Sequence, residues 1–158
     1  MAVDISSIRA GNVPVHKWGD RIVFGRTGTA GPFQGRGWSE QPDEHSCWTN
    51  GPEAELVFRT VAPPADILLS LQVAPFLPAG AIQRQDVTVF FNYFRVDFLE
   101  VGAPGEHAIY LPRELFTLRT ARLRFHIPNC RSPKELGLNQ DVRRLGLAFE
   151  SVTLKPVP

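Results

Sequence analysis

Apolar and polar residues alternate along most of this chain in short runs. Glu53–Thr60 sets Ala54, Leu56 and Phe58 on one side and Glu53, Glu55 and Arg59 on the other, the period of two expected of a half-buried strand. Asp66–Phe76 repeats the pattern with Ile67, Leu69, Leu71 and Val73. Gln85–Val101 carries the strongest β signal. Val87, Val89 and Phe91 run into Asn92-Tyr93, then Phe94, Val96 and Phe98 run out, in a stretch too β-branched and aromatic for a helix. Asn92 and Tyr93 would make the hairpin turn, with Tyr93 where Gly is favoured. Glu106–Leu111 is another strand. Thr120–Pro128 turns Ala121, Leu123, Phe125 and Ile127 inward and Arg122, Arg124 and His126 outward. Arg21–Gly25 reads as an early strand. Arg144–Leu154 is the last, and its apolar phase changes after Phe149, which predicts a bulge at Glu150–Ser151.

Helical signals are sparse. Pro112–Thr117 suits one turn. Ser132–Leu138 has Ser132 as N-cap, Pro133 at the first helical position, Glu135 at the third and Gly137 as the stop. Residues 1–20 are mixed, with a candidate short strand at Val3–Ile8. The sum is about eight to ten strands punctuated by turns, which predicts an all-β antiparallel β-sandwich, jelly-roll-like. The 158 residues are expected to form one domain, with residues 1–20 as an irregular N-terminal segment.

Composition narrows the function classes. Apolar residues are 43% and charged residues 21%, ordinary globular values that argue against a disordered chain. A net charge of +1 is a poor basis for binding nucleic acid. No apolar run is long enough for a membrane span, and MAVDISSIRAGNVPV shows no signal-peptide core, so a cytoplasmic location is expected. Cys47 and Cys130 read as buried free thiols, with a disulfide as the lesser alternative. No cofactor or metal motif is present. The glycines from Gly25 to Gly37 fit neither phosphate-loop spacing, and no helix follows to hold a phosphate.

Two segments carry candidate chemistry. Trp38-Ser39-Glu40 and Cys47-Trp48-Thr49-Asn50-Gly51 flank a polar loop with Asp43, Glu44 and His45. Indole faces stack on sugar C–H surfaces, and carboxylates and amides bind hydroxyls. Trp38 reads equally as core or as site, while Trp48, beside a strand, reads more readily as buried. Asp43, Glu44, His45 and Cys47 match no zinc spacing. Further on, Asp141 and Arg143 lie two apart, either as an ion pair fixing the entry to the last strand or as a ligand clamp. The Arg122/Arg124/His126 stripe reads as a solvated face, with an acidic glycan or lipid headgroup as the alternative. Glu40 with Asp43 or Asp141 would be the only glycosidase-like pair, and no nucleophile elbow or metalloprotease motif occurs, so no catalytic residue is assigned.

GWSE at Gly37–Glu40, CWTNGPEAEL at Cys47–Leu56 and SPKELGLNQDVRRLGLAFESVTL at Ser132–Leu154 together resemble segments of small bacterial β-sandwich accessory domains. Those domains accompany glycosyltransferases and other polysaccharide-biosynthesis proteins. Trp38, Trp48, Gly51, Ser132, Pro133, Gly137, Asp141, Arg143, Leu145 and Gly146 match their pattern. Asn92-Tyr93 replaces the hairpin Asn-Gly, and the usual Glu after Gly-Trp-Ser-x-x falls on Asp43 or Glu44, depending on a gap. The resemblance implies a non-catalytic module that binds a saccharide or glycan-linked ligand, with a glycosyltransferase or another protein as partner. Trp38, Glu40, Trp48, Asp141 and Arg143 are the expected ligand-binding residues, which requires the loops before Trp48 and Arg143 to meet. The alternative is a protein-interaction or scaffold domain, with a homo-oligomer as one form of it, displaying Phe90, Tyr93, Phe94 and Leu99 on an exposed apolar face.

Overall fold

A computed structural model describes residues 13–158, so the candidate strand at Val3–Ile8 lies outside the described residues. Among the described residues, nine strands form two antiparallel sheets packed as a jelly-roll-like β-sandwich: β1 (Arg21–Val23), β2 (Cys47–Asn50), β3 (Glu53–Arg59), β4 (Ile67–Pro75), β5 (Gln85–Phe91), β6 (Phe94–Val101), β7 (Gly105–Leu111), β8 (Thr120–His126) and β9 (Leu145–Pro156). One sheet runs β1-β9-β4-β7, with β2 also on β9; the other runs β3-β8-β5-β6. The inward alternate residues meet between the sheets, where Leu56, Phe58, Leu69, Leu71, Phe91, Phe125 and Phe149 are fully buried.

Most predicted strands stand within a few residues of their expected bounds. The bulge in β9 is present: Gln72 pairs with Ser151 and Val73 with Phe149, leaving Glu150 unmatched. This extra residue lets both Phe149 and Val152 face the core. Pro112–Thr117 contains a 3-10 turn at Arg113–Leu115. Ser132–Leu138 forms hydrogen-bonded turns rather than a helix, yet its capping box is complete: Ser132 N–H donates to Glu135 Oε1 (2.8 Å) and Glu135 N–H to Ser132 Oγ (3.1 Å). Asn92 takes a left-handed φ of 53° in the hairpin turn, a conformation Asn tolerates.

β6 departs from its expected pattern. Val89 pairs with Asp97 but Phe90 with Arg95, so Val96 is an extra residue and the side-chain phase reverses around it. Leu99 is therefore buried opposite Val87 and is not part of an exposed apolar face. Phe94 and Phe98 are instead about half exposed, and Tyr93 at the hairpin tip is 89% exposed. Both cysteines are free and buried.

The chain leaves the five-stranded sheet after β1 and re-enters it at β2, both on the same flank of β9. In between, residues 25–46 cross the open side of the sandwich. Gln34–Arg36 pair with the free edge of β3, where Gly35 N–H donates to Glu55 O (2.9 Å) and Glu55 N–H to Arg36 O (3.0 Å). Residues 37–39 then pair with β2, through Asn50 N–H to Gly37 O and Ser39 N–H to Trp48 O, each 2.8 Å. The excursion thus joins the edges of the two sheets. Gly37 makes the crossing possible: its φ is +92°, and a Cβ there would lie 1.8 Å from Glu53 O. The glycine-rich stretch serves close backbone approach.

Candidate functional site

The crossing segment forms one wall of a surface cleft of about 880 Å³. Trp38, Ser39, Glu40 and Asp43 lie on that wall, Asn50 comes from the end of β2, Asp141 and Arg143 come from the loop entering β9, and Arg26 lines it from the start of the crossing. The two loops meet through Arg143, whose Nη1–H donates to Ser39 Oγ at 3.0 Å. Four of the five expected ligand-binding residues, Trp38, Glu40, Asp141 and Arg143, therefore share one cleft.

Their roles differ. Trp38 is wedged against the core, with ring centroids 5.2 Å from Phe24 and 5.0 Å from Phe149. Its indole N–H donates to Glu55 O at 2.8 Å. It packs against the core and also lines the cleft. Glu40 is exposed, and its carboxylate makes no hydrogen bond among the described residues. Arg143 is held by Asp141: Nη2–H donates to Oδ2 at 2.7 Å, and Nε–H lies between both oxygens at 3.0 and 3.1 Å. The Arg143 backbone N–H adds a bond to Oδ1 at 3.0 Å. Hydrogen bonds from the Arg143 side chain hold the Asp141 carboxyl below the ordinary aspartate range, and the same bonds raise the Arg143 pKa. Asp141 therefore positions Arg143. Of the five guanidinium N–H groups, three are engaged by Asp141 and Ser39, leaving two without a partner among the described residues.

Trp48 stands apart from this group. It alternates with the buried Cys47 and Thr49, points to the outer face of the five-stranded sheet, and packs edge-on against Phe76 at 6.1 Å. The arrangement thus departs from the five-residue expectation at Trp48, which packs on Phe76 outside the cleft lining, whereas Asn50 lies beyond the register shift that separates it from Trp48. Asn50 and Arg26 enter the cleft without having been singled out. Asn50 accepts the Arg144 N–H on Oδ1 (3.0 Å), which leaves its amide N–H₂ as a donor. The Asn50-Gly51 turn signal hinted at this position; nothing in the sequence pointed to Arg26.

The carboxylates whose pKa departs from ordinary values, Asp66, Glu135 and Asp141, all move down, each chiefly through a hydrogen bond to the ionised form. A general acid needs the opposite shift. Burial raises the Cys47 and Cys130 thiols, the reverse of an activated nucleophile. Among the described residues no group of three or more His, Cys, Asp or Glu is placed to hold a metal, and no helix is long and apolar enough to cross a membrane. A smaller hollow of about 560 Å³ is lined by Arg84 and Arg131. Both are already ion-paired, Arg84 with Asp86 and Glu100 and Arg131 with Glu135.

No family model matches the chain, and no curated protein matches it. Among solved structures, small β-sandwich carbohydrate-binding modules are its neighbours. A family 6 carbohydrate-binding module has a TM-score of 0.47 at 4% identity, covering 92% of this chain and 98% of that one. A family 35 module from Paenibacillus barcinonensis has a TM-score of 0.42 at 9% identity, covering 87% and 90%. A family GH115 4-O-methyl-alpha-glucuronidase has a TM-score of 0.48 at 12% identity; the match covers 89% of this chain but 16% of that one.

Proposed function

We propose that this chain is a non-catalytic carbohydrate-binding-type module whose ligand lies in the cleft between residues 38–43 and 141–143. The observation that carries the reading is convergence. An exposed Glu40 carboxylate, the Asn50 amide and the Arg143 guanidinium line one cleft together with Trp38. Donors and acceptors for hydroxyls beside an aromatic side chain suit a saccharide. The guanidinium is pre-oriented by Asp141, so its ordering cost falls before binding. The resemblance of Gly37–Glu40, Cys47–Leu56 and Ser132–Leu154 to accessory domains of polysaccharide biosynthesis supports a place beside a glycosyltransferase in surface-polysaccharide assembly. The two free thiols fit a reducing, cytoplasmic setting.

The test is intrinsic fluorescence during titration with neutral, acidic and nucleotide-linked sugars, with Arg143→Gln and Glu40→Gln as controls. Saturable quenching that weakens at least tenfold in either variant is expected. A response unchanged in both variants, or no response across the panel, overturns the cleft.

The exposed Tyr93 and half-exposed Phe94 at the β5–β6 hairpin favour a second reading, an interaction domain. Light scattering that shows an oligomer dispersed by Tyr93→Ser would support it.

A further inference from the structure

The outer face of the four-stranded sheet has an unusual charge arrangement. Register places Glu55, Arg124, Phe90 and Arg95 in one row across β3, β8, β5 and β6. The next row is Glu53, His126, Thr88 and Phe98. Glu55 faces Arg124 directly across the strands, and a cross-strand ion pair would be the ordinary outcome. Glu55 instead binds two other arginines, Arg36 Nε and Arg122 Nη1, each at 2.7 Å. Both of its oxygens are engaged, and Arg124 has no carboxylate partner among the described residues. Its guanidinium lies over the Phe90 ring, 4.4 Å from the centroid. Arg95, on the far side of Phe90, is exposed and likewise unpaired among the described residues. Phe98 is 51% exposed beside them.

The other charges facing this surface do not cancel it. Glu53 is taken up by Arg36 at 3.2 Å and lies 3.7 Å from His126. Asp97 turns onto the Phe98 N–H at 2.8 Å, at the edge of the sheet. Asp86 lies 3.0 Å from Arg84.

From this we infer that the outer face of the four-stranded sheet is a second ligand surface, one that takes a carboxylated sugar. With the Phe90 ring beneath the Arg124 guanidinium and no carboxylate on it among the described residues, its N–H groups remain available for a carboxylate. Arg95 supplies a second cation across the ring. Phe98 offers an apolar surface for the C–H face of a pyranose. A neutral sugar would leave both guanidinium groups unmatched, and a bare inorganic anion would leave Phe98 unused. The surface shares no residue with the cleft, so it stands or falls independently of that reading.

The experiment is calorimetric titration of the whole chain with oligogalacturonate, with a neutral galactose oligomer of equal length alongside. Arg124→Gln, Phe98→Ala and the cleft variant Arg143→Gln are compared at matched salt. Binding of the uronate that weakens at least tenfold in both Arg124→Gln and Phe98→Ala, in the parent chain and in an Arg143→Gln background alike, is the expected result. The neutral oligomer should not respond to the sheet-face variants. If Arg124→Gln loses its near-ultraviolet circular dichroism, Phe98→Ala carries the test, because that side chain stands largely outside the core. Absence of uronate binding overturns the inference, as does binding lost only in Arg143→Gln. Equal competition by polyglutamate, with Phe98→Ala without effect, also overturns it and assigns the face to acidic protein segments.

Discussion

Glu55 is a carboxylate on the outward side of β3 that is nevertheless 4% exposed, because the crossing segment covers it. Changing it to Gln preserves shape and removes charge. The side chain would still fill its space, but an amide N–H₂ would face one of two guanidinium donors now 2.7 Å away. Breaking a fully buried ion pair costs about 3–5 kcal/mol, since the remaining charge is stranded. Here the partners are not stranded: the Arg36 side chain is 69% exposed and that of Arg122 is 37% exposed, so both regain water. Exposed pairs contribute only about 0.2–1 kcal/mol. Glu55 lies between these limits, and a loss of about 2 kcal/mol follows, or roughly 4–8 °C in Tm for a domain of this size. Urea unfolding of Glu55→Gln and of Arg36→Gln, with the double variant, measures both the cost and the coupling. Trp38 keeps its partner, since that acceptor is the Glu55 backbone carbonyl, so the native fluorescence should stay unshifted. A destabilisation under about 0.5 kcal/mol, or a double variant whose loss equals the sum of the two single losses, meaning zero coupling, would refute the reasoning.

Three further outcomes follow from the site and its supports. Gly37→Ala should cost at least about 3 kcal/mol or prevent folding, because a Cβ meets Glu53 O and the φ is left-handed; thermal unfolding measures it, and a variant within 1 kcal/mol of the parent would contradict the close approach. Asp141→Asn should weaken cleft binding roughly 2- to 12-fold by freeing one arginine side chain, less than Arg143→Gln does, as read by fluorescence titration. The Asp141 carboxyl is lowered in the folded chain, so its stabilising pair is complete above the unfolded aspartate pKa of about 3.9 and is lost as pH falls through the lower folded value. Carboxyl NMR should place that midpoint below about 3.9, and a midpoint at or above it would deny the pair.

The strands were legible wherever alternation had a clear partner phase. In β9 the switch from Leu147 and Phe149 to Val152 and Leu154 is written in the residue order, so the bulge could be read. In β6 an equally real bulge was hidden, because Phe94, Val96 and Phe98 alternate smoothly with Arg95 and Asp97 through the very place where the phase breaks. The pairing with β5 decides it, and pairing is not local information. The cleft shows the same division. Trp38, Glu40, Asp141 and Arg143 could be named from side-chain chemistry, but their meeting depends on residues 34–39 bridging two sheet edges. Trp48 and Asn50 share a parity in β2, so alternation alone does not separate them; the register shift between them does, and it shows only in the pairing with β9. Arg26 arrives through a backbone contact, its N–H donating to Asp43 O at 3.0 Å, and no side-chain pattern records that.

β9 is bonded to β1, β2 and β4 at once. During synthesis those three earlier strands therefore emerge from the ribosome with no central strand to join, and only the residues near 145–156 let the five-stranded sheet assemble. The four-stranded sheet, built from β3, β5, β6 and β8, needs nothing beyond His126. Folding of the two halves should thus be vectorial, with the hairpin-containing sheet able to form first. The sheet that carries one wall of the cleft follows only after its last strand is made. Contacts this distant in sequence slow folding and leave one edge of β4 unpaired while the chain waits, the other being taken by β7, a window in which a chaperone or a nearby partner matters more than in the finished protein.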